Sequence, residues 1–205
     1  FSLDIAPMEY PCGGAGDFRI AALSVRGGNG DTVTDLHYTG HRIIDGKPAL
    51  PGLPATFAKE GEAQTLEIQL EDKVTGVQAA LLYTVFEGFG AMARSVRIEN
   101  KGQSPVDLER AYSACLELPG MGYDVVHLYG RWAKENTAER YPLHHGLQGI
   151  QSKRGMTGPN HNPFLALARQ GTTEENGEAY GVGLVYSGNF ALDAEVNTKG
   201  STRVL

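Results

Sequence analysis

The sequence has 205 residues, of which 41% are hydrophobic and 20% are charged, and its formal net charge is −6. This composition is typical of a globular chain with a sizeable core, and the acidic balance excludes nucleic-acid binding, which requires clustered Lys and Arg. No apolar run reaches the roughly 18 residues that a membrane-spanning helix needs, so we expect neither nucleic acid nor a membrane as a partner.

The first segment carries a glycine-rich run, Gly13-Gly14-Ala15-Gly16. It lacks the lysine and the strand–turn–helix context of a phosphate-binding loop, so a tight turn is the better interpretation. Asp17 and Arg19 follow two residues apart, which on a strand places them on the same side. They are predicted to form an ion pair or to reach a ligand together.

The middle of the chain alternates polar and apolar residues, which predicts strands. Thr65–Leu70, Val77–Val85 and Ser95–Glu99 are three such segments. Val106–Leu118 is predicted to be one long strand with a bulge near Arg110-Ala111, where the apolar phase shifts.

The last third alternates irregular and strand-like segments. Pro119–Tyr141 and Ser152–Pro163 are predicted to be long loops, which on a rigid scaffold often bind ligands. Tyr180–Tyr186 and Ala191–Val196 are predicted to form a hairpin through Ser187-Gly188-Asn189, and Thr202–Leu205 begins a further strand.

These patterns predict an all-β fold, because no segment shows a sustained helical period and glycines and prolines separate many short strands. Ten or more strands favour a large two-sheet sandwich, and one domain over residues 1–205 is the simpler organisation. The chain begins at Phe1 and ends at Leu205 inside patterned segments, so we expect a piece of a longer protein that is partial at both ends.

Trp132 is the strongest candidate for ligand binding. It is the only tryptophan, and it lies among polar residues in Leu128–Leu143. An aromatic face can stack on the C–H face of a sugar while neighbouring Arg and Glu bind its hydroxyls. The alternative is that Trp132 anchors a long loop to the sandwich.

The histidines and cysteines do not indicate a metal site or a cofactor. His37 and His41 would share a face only in a helix, and the adjacent His144 and His145 are typical of a solvated turn. The two cysteines, Cys12 and Cys115, form no C-x-x-C motif, which favours a reducing compartment such as the cytoplasm. No serine lies in a G-x-S-x-G motif, and spacing alone assigns no pair of catalytic carboxylates.

A set of short strings, taken in order, is much more specific than any single motif. The chain resembles the N-terminal domain of the bacterial family 36 glycoside hydrolases, the α-galactosidases that act on melibiose and raffinose. The strings that carry the resemblance are Phe1–Asp4, Glu9–Pro11, Gly16–Arg19, Val33–Leu36, His41–Ile43, Gly46–Pro48, Gly52–Thr56, Ala63–Ile68, Arg94–Val96, Leu108–Ala111, Gly130–Trp132, His161–Phe164 and Tyr186–Phe190.

The resemblance implies a β-supersandwich of the galactose mutarotase-like type, followed downstream by a catalytic (β/α)₈ barrel. It implies retaining catalysis by two aspartates in barrel motifs that have no counterpart here, so this chain alone is expected to be inactive. It also implies α-galactoside oligosaccharides as substrates, a homotetramer, and Trp132 of the Gly130-Arg131-Trp132 string as a contact to galactose. Cys12-Gly13-Gly14 and Met8 depart from the family pattern near Asp17.

Two other functions stay open. A stand-alone carbohydrate-binding module would bind galactosides in isolation. A mutarotase-like epimerase would need a histidine and a carboxylate converging on one sheet, with His161 or His127 as the histidine.

Overall fold

The computed structural model describes residues 6–14 and 16–205, and these form strands and connections without a helix. The described strands are β1 (Leu23–Gly27), β2 (His37–Asp45), β3 (Ala63–Glu71), β4 (Val77–Phe86), β5 (Met92–Asn100), β6 (Val106–Ala111), β7 (Leu116–Leu118), β8 (Tyr123–Arg131), β9 (Lys134–Pro142), β10 (Gly146–Ser152), β11 (His161–Arg169), β12 (Ala179–Gly183), β13 (Phe190–Val196) and β14 (Thr202–Val204). The predicted all-β class is confirmed. No helix in these ranges has the length and apolar character needed to cross a membrane.

The strands belong to two compact units. The first comprises Phe1–Pro51 and Thr56–Cys115, and the second comprises Gly52–Ala55 and Leu116–Leu205. Organisation of residues 1–205 as one domain stays a prediction.

The first unit contains an antiparallel sheet in the order β2-β3-β4-β5 and the antiparallel pair β1-β6. Strand β3 alternates with the predicted period of two, since Ala63, Thr65 and Glu67 are buried while Gln64 and Leu66 are exposed. The expected inward apolar face is wrong here, because polar Thr65 and Glu67 are buried and Leu66 is exposed. The β1–β6 pair contains a bulge, since Ser24 pairs with Arg110 and Val25 pairs with Leu108.

The prediction of one strand over Val106–Leu118 is wrong. Strand β6 ends at Ala111 and pairs with β1, whereas β7 begins at Leu116 and pairs with β14 in the second unit. The bulge lies at Glu109, next to its predicted position. Apolar residues continue through the break, so the pattern does not reveal where the pairing partner changes.

The second unit contains two antiparallel four-stranded sheets, in the orders β10-β13-β14-β7 and β12-β11-β8-β9. Both sheets contribute to one apolar core. Its buried members are Tyr123, Val125, Leu143, Ile150, Leu165, Leu167, Phe190, Leu192, Ala194, Val196 and Val204. Two sheets that share a core in this way form a sandwich, which is the predicted architecture.

Two further predictions in this unit are wrong. Residues 184–189 do not close a hairpin, because β12 pairs with β11 while β13 pairs with β10 and β14. The segment connects the two sheets instead, and its Ser187 carbonyl accepts a hydrogen bond from the Thr157 amide at 2.9 Å. The segment Pro119–Tyr141 is also not a long loop, since most of it forms the β8–β9 hairpin.

A buried carboxylate on β3 links the stability of the first unit to pH. Glu67 is 1% exposed and accepts hydrogen bonds from Arg42 Nη2 at 2.9 Å and from Gln69 Nε2 at 3.1 Å. The bond from Arg42 is the main cause that holds the pKa of Glu67 below its ordinary value of 4.5. Ionised Glu67 therefore stabilises the fold above that ordinary value, and this stabilisation is lost as the pH falls through the lowered pKa.

We therefore expect the unfolding free energy of the wild-type chain to fall more steeply than that of Glu67→Gln between about pH 7 and pH 3. Urea denaturation at a series of pH values measures both slopes. Glu60→Gln removes an exposed carboxylate of the same unit and serves as the control, with a slope like that of the wild type. Parallel slopes for Glu67→Gln and the wild type would show that Glu67 contributes nothing to the pH dependence.

Candidate functional site

Trp132 lies in the turn of the β8–β9 hairpin and is 91% exposed. Arg131 pairs with Lys134, so Trp132 and Ala133 form a two-residue connection, in which Ala133 has a φ of 60°. The Ala133 amide donates a hydrogen bond to Glu135 Oε1 at 2.9 Å. The indole is thus held in the solvent at the end of a paired hairpin. With 91% of its surface exposed, the indole does not anchor the turn to the described sheets, and its contact with a ligand stays a prediction.

Gly130 lies two residues before Trp132, at a point where strands β8 and β9 are unusually close. Tyr129 pairs with Thr137 and Arg131 pairs with Lys134, so Gly130 faces two residues of β9 in a bulge. A Cβ atom on Gly130 would lie 2.3 Å from the Lys134 carbonyl oxygen. The close approach explains why glycine precedes Arg131-Trp132 in this string.

The hairpin is tied to the segment that starts β11. The Gly130 amide donates to the Asn160 carbonyl at 3.4 Å, and Asn162 Nδ2 donates to Asn136 Oδ1 at 2.7 Å. Asn136 has a φ of 57°, a conformation that asparagine adopts more readily than most residues. The strings Gly130–Trp132 and His161–Phe164, distant in sequence, are therefore neighbours in the fold.

Behind the hairpin, the same sheet carries a cluster of two histidines and a glutamate. His127 is buried, and its Nε2 lies 3.0 Å from Glu139 Oε2. The His127 and His161 rings have centroids 5.9 Å apart, and neither Nδ1 atom has a hydrogen-bond partner. Burial lowers the pKa of His161, and the positive potential of His127 and Arg154 lowers it further.

A histidine and a carboxylate thus do converge on one sheet, as the mutarotase-like alternative requires. His127 is only 4% exposed and already engages Glu139, so it has no open approach to a sugar. The alternation of β8 predicts an inward side chain at position 127, but its neighbours depend on strand pairing that the sequence does not show.

The remaining sequence candidates have local roles. Arg19 Nη2 and Asp17 Oδ2 form the predicted ion pair at 3.1 Å. His144 and His145 are exposed in the turn before β10. The glycine-rich turn is described only at residues 13, 14 and 16, since Ala15 lies outside the described residues, as does the Phe1–Asp4 string.

On the second strand, His37 Nε2 lies 2.9 Å from Asp35 Oδ2, whereas His41 Nδ1 lies 2.5 Å from the Tyr38 hydroxyl. The two histidines therefore have separate partners. Across residues 6–14 and 16–205, no three His, Cys, Asp or Glu side chains are grouped in a way that could hold a metal ion.

The described strands define an all-β protein whose second unit is a sandwich of two antiparallel sheets. Comparison with known proteins is more specific, because the model of the glycosyl hydrolase family 36 N-terminal domain matches residues 1–205. The chain belongs to this family.

Two relatives are similar to nearly the whole chain. α-Galactosidase AgaA of Geobacillus stearothermophilus is 47% identical over 205 residues, which are 100% of this chain and 28% of that protein. α-Galactosidase C of Emericella nidulans is 46% identical over 197 residues, which are 96% of this chain and 26% of that protein. The chain therefore spans about a quarter of the length of these relatives.

Solved structures are also similar to the chain. The crystal structure of AgaA superposes with a TM-score of 0.96 and 47% identity, covering 100% of this chain and 29% of that one. A variant of AgaA in complex with raffinose has the same TM-score and 46% identity, with the same coverage of both chains. The chain is therefore similar to these structures in both fold and sequence.

Proposed function

We propose that this chain is the N-terminal domain of a longer retaining α-galactosidase, which hydrolyses terminal α-galactosyl residues of melibiose- and raffinose-type oligosaccharides. The observation that carries this proposal is the match of the family domain over residues 1–205, supported by relatives that are α-galactosidases. The raffinose complex of AgaA supports the class of substrate.

The catalytic aspartates of the proposed enzyme lie in a downstream barrel. This chain contains no K-x-D-x-N or S-D motif, and the chain spans only 28% of AgaA. The role of the domain is then to pack against the barrel, to contribute to a homotetramer and to form one wall of the sugar pocket. No cofactor is part of the proposal.

Trp132 is the residue of this domain that we assign to the galactose pocket. Its indole is 91% exposed at the end of the β8–β9 hairpin. The two strands lie close together at Gly130, and the Gly130 amide donates a hydrogen bond to the Asn160 carbonyl. An exposed and well-positioned aromatic face provides a stacking surface for the apolar side of a sugar ring.

We expect Trp132→Ala to lower kcat/KM of the full-length enzyme for an α-galactoside about tenfold, because one aromatic contact contributes about 1 kcal/mol or somewhat more. The melting temperature should stay unchanged, since the exposed indole contributes little packing. Steady-state kinetics and thermal denaturation measure the two quantities. Phe89→Ala removes another exposed aromatic side chain, from the β4–β5 connection, and should leave kcat/KM unchanged. Wild-type kinetics in Trp132→Ala would remove this residue from the pocket.

A cytoplasmic location is also proposed. Cys12 and Cys115 are buried and form no disulfide, and burial raises the pKa of Cys12 to about 12. Cysteines that are not oxidised to disulfides are typical of proteins in reducing compartments.

The two alternative functions have direct tests. A stand-alone binding module would bind galactose tightly as the isolated chain, whereas a single wall of a pocket would bind it weakly. A mutarotase would accelerate anomer interconversion in a coupled assay. Burial of His127, which pairs with the half-exposed Glu139, gives this activity little support.

A further inference from the structure

A cavity of about 230 Å³ lies in the second unit, between the end of β10 and the start of β11. Its lining presents hydrogen-bond donors and positive charge, and no carboxylate is among the lining residues described. The lining side chains are Gln151, Ser152, Lys153, Arg154, Asn160 and His161. A concentration of basic groups is notable in a chain whose formal net charge is −6.

Two hydrogen bonds hold the loop that borders the cavity. The Gly155 amide donates to Asn189 Oδ1 at 2.6 Å, which ties the loop to the connection between the two sheets. Arg154 Nη1 donates to Asn160 Oδ1 at 2.7 Å and thereby fixes the guanidinium at the cavity. A site whose donors are already positioned loses less conformational entropy when a ligand binds.

His161 adds an imidazole to the lining of the cavity. Its Nδ1 atom is buried without a hydrogen-bond partner, a cost to the fold that no described residue offsets. Burial lowers its pKa, and so do His127 and Arg154, while Glu139 alone acts in the opposite direction. Lys153 and Arg154 bring two positive charges to the lining, and no carboxylate is among the lining residues described, so the cavity attracts an anion.

We propose that this cavity binds a tetrahedral oxyanion, a phosphate group that is either free inorganic phosphate or part of a phosphorylated sugar. Lys153 and Arg154 provide charge-assisted hydrogen bonds, which are the strong ones, and His161 adds a third when it is protonated. The Gln151 amide and the Ser152 hydroxyl complete the donor set. The site is separate from the galactose contact at Trp132, although Asn160 borders both. This inference goes beyond the proposed function and does not depend on it.

Calorimetric titration of inorganic phosphate into the full-length protein, at constant ionic strength, tests the proposal. The double variant Lys153→Gln/Arg154→Gln should bind phosphate about tenfold more weakly or worse, because it loses two charge-assisted bonds. Lys59→Gln/Lys73→Gln removes the same charge from exposed positions of the first unit and should bind like the wild type. Equal affinity of the wild type and the Lys153/Arg154 variant would overturn the proposal.

A second titration uses sulfate, which does not itself titrate between about pH 5 and 8. Wild-type affinity should rise as the pH falls and His161 becomes protonated, and His161→Asn should abolish this rise. A pH-independent affinity in the wild type would contradict the role of His161. A hexose phosphate that binds more tightly than inorganic phosphate would support a sugar phosphate as the source, and equal affinities would support the free anion. Binding of neutral galactose with no response to phosphate would overturn the proposal.

Discussion

Gly130→Ala is expected to destabilise the chain by about 3 kcal/mol and to displace Trp132. The new methyl group would lie 2.3 Å from the Lys134 carbonyl oxygen and 2.7 Å from the Glu135 Cα atom. Both of these are backbone atoms of the paired strand, so no side-chain rotation relieves the overlap. Strand β9 must move away at the bulge, and the turn that carries the indole moves with it.

Urea denaturation of the chain measures the stability change. In the full-length enzyme, kcat/KM for an α-galactoside should fall at least as far as in Trp132→Ala, because the indole leaves its position altogether. Gly183→Ala is the matched control, since a Cβ atom at the end of β12 in the same sheet would meet nothing within 4 Å. Wild-type stability and activity in Gly130→Ala would mean that the close approach does not hold the hairpin.

Arg203→Ala should destabilise the chain as much as Gly130→Ala or more, with a loss of about 3–5 kcal/mol of unfolding free energy. Arg203 is fully buried on β14, and its Nη2 lies 2.7 Å from Glu117 Oε1 on the neighbouring strand β7. Truncation removes the charge that neutralises Glu117, whose side chain is only 18% exposed, and it opens a cavity as well.

Arg26→Ala breaks an ion pair with Glu109 in which the two side chains are 53% and 33% exposed. We expect it to cost at most about 1 kcal/mol, because water solvates and screens both charges. Chemical denaturation of the two variants compares a buried with an exposed pair in one protein. Similar losses in both would show that the burial of Arg203 adds nothing to its contribution.

The strands that alternate cleanly could be predicted from the sequence. Thr65–Leu70 lies within β3, where the period of two was predictable although the buried residues Thr65 and Glu67 are polar. Val77–Val85 lies within β4, whose centre is apolar and buried. The all-β class follows from such segments. The Asp17–Arg19 pair was also predictable, since it depends only on residues two apart.

The β8–β9 hairpin could not be predicted in the same way. Strand β9 is the edge of its sheet and is exposed over most of its length, so its sequence is polar and resembles a loop. The two-residue turn at Trp132-Ala133 has none of the usual glycine or asparagine signals. The prediction of a hairpin at residues 187–189 was wrong although the turn signal is present, because this turn connects strands of two different sheets.

The candidate site was predicted only in part. Trp132 could be singled out as an unpaired aromatic among polar residues. The cluster of His127, Glu139 and His161 could not, since it depends on the register between β8, β9 and β11, which tertiary packing sets. The donor-lined cavity likewise requires the loop after β10 to fold back on β11.

The most direct test of the central claim is hydrolysis of a chromogenic α-galactoside by the full-length protein, with this chain alone as the control. We predict activity in the full-length protein and none in this chain, whose sequence lacks the two barrel motifs of the catalytic aspartates. No activity in either protein would contradict the assignment to an α-galactosidase, and hydrolysis by this chain alone would contradict the location of the catalytic aspartates downstream.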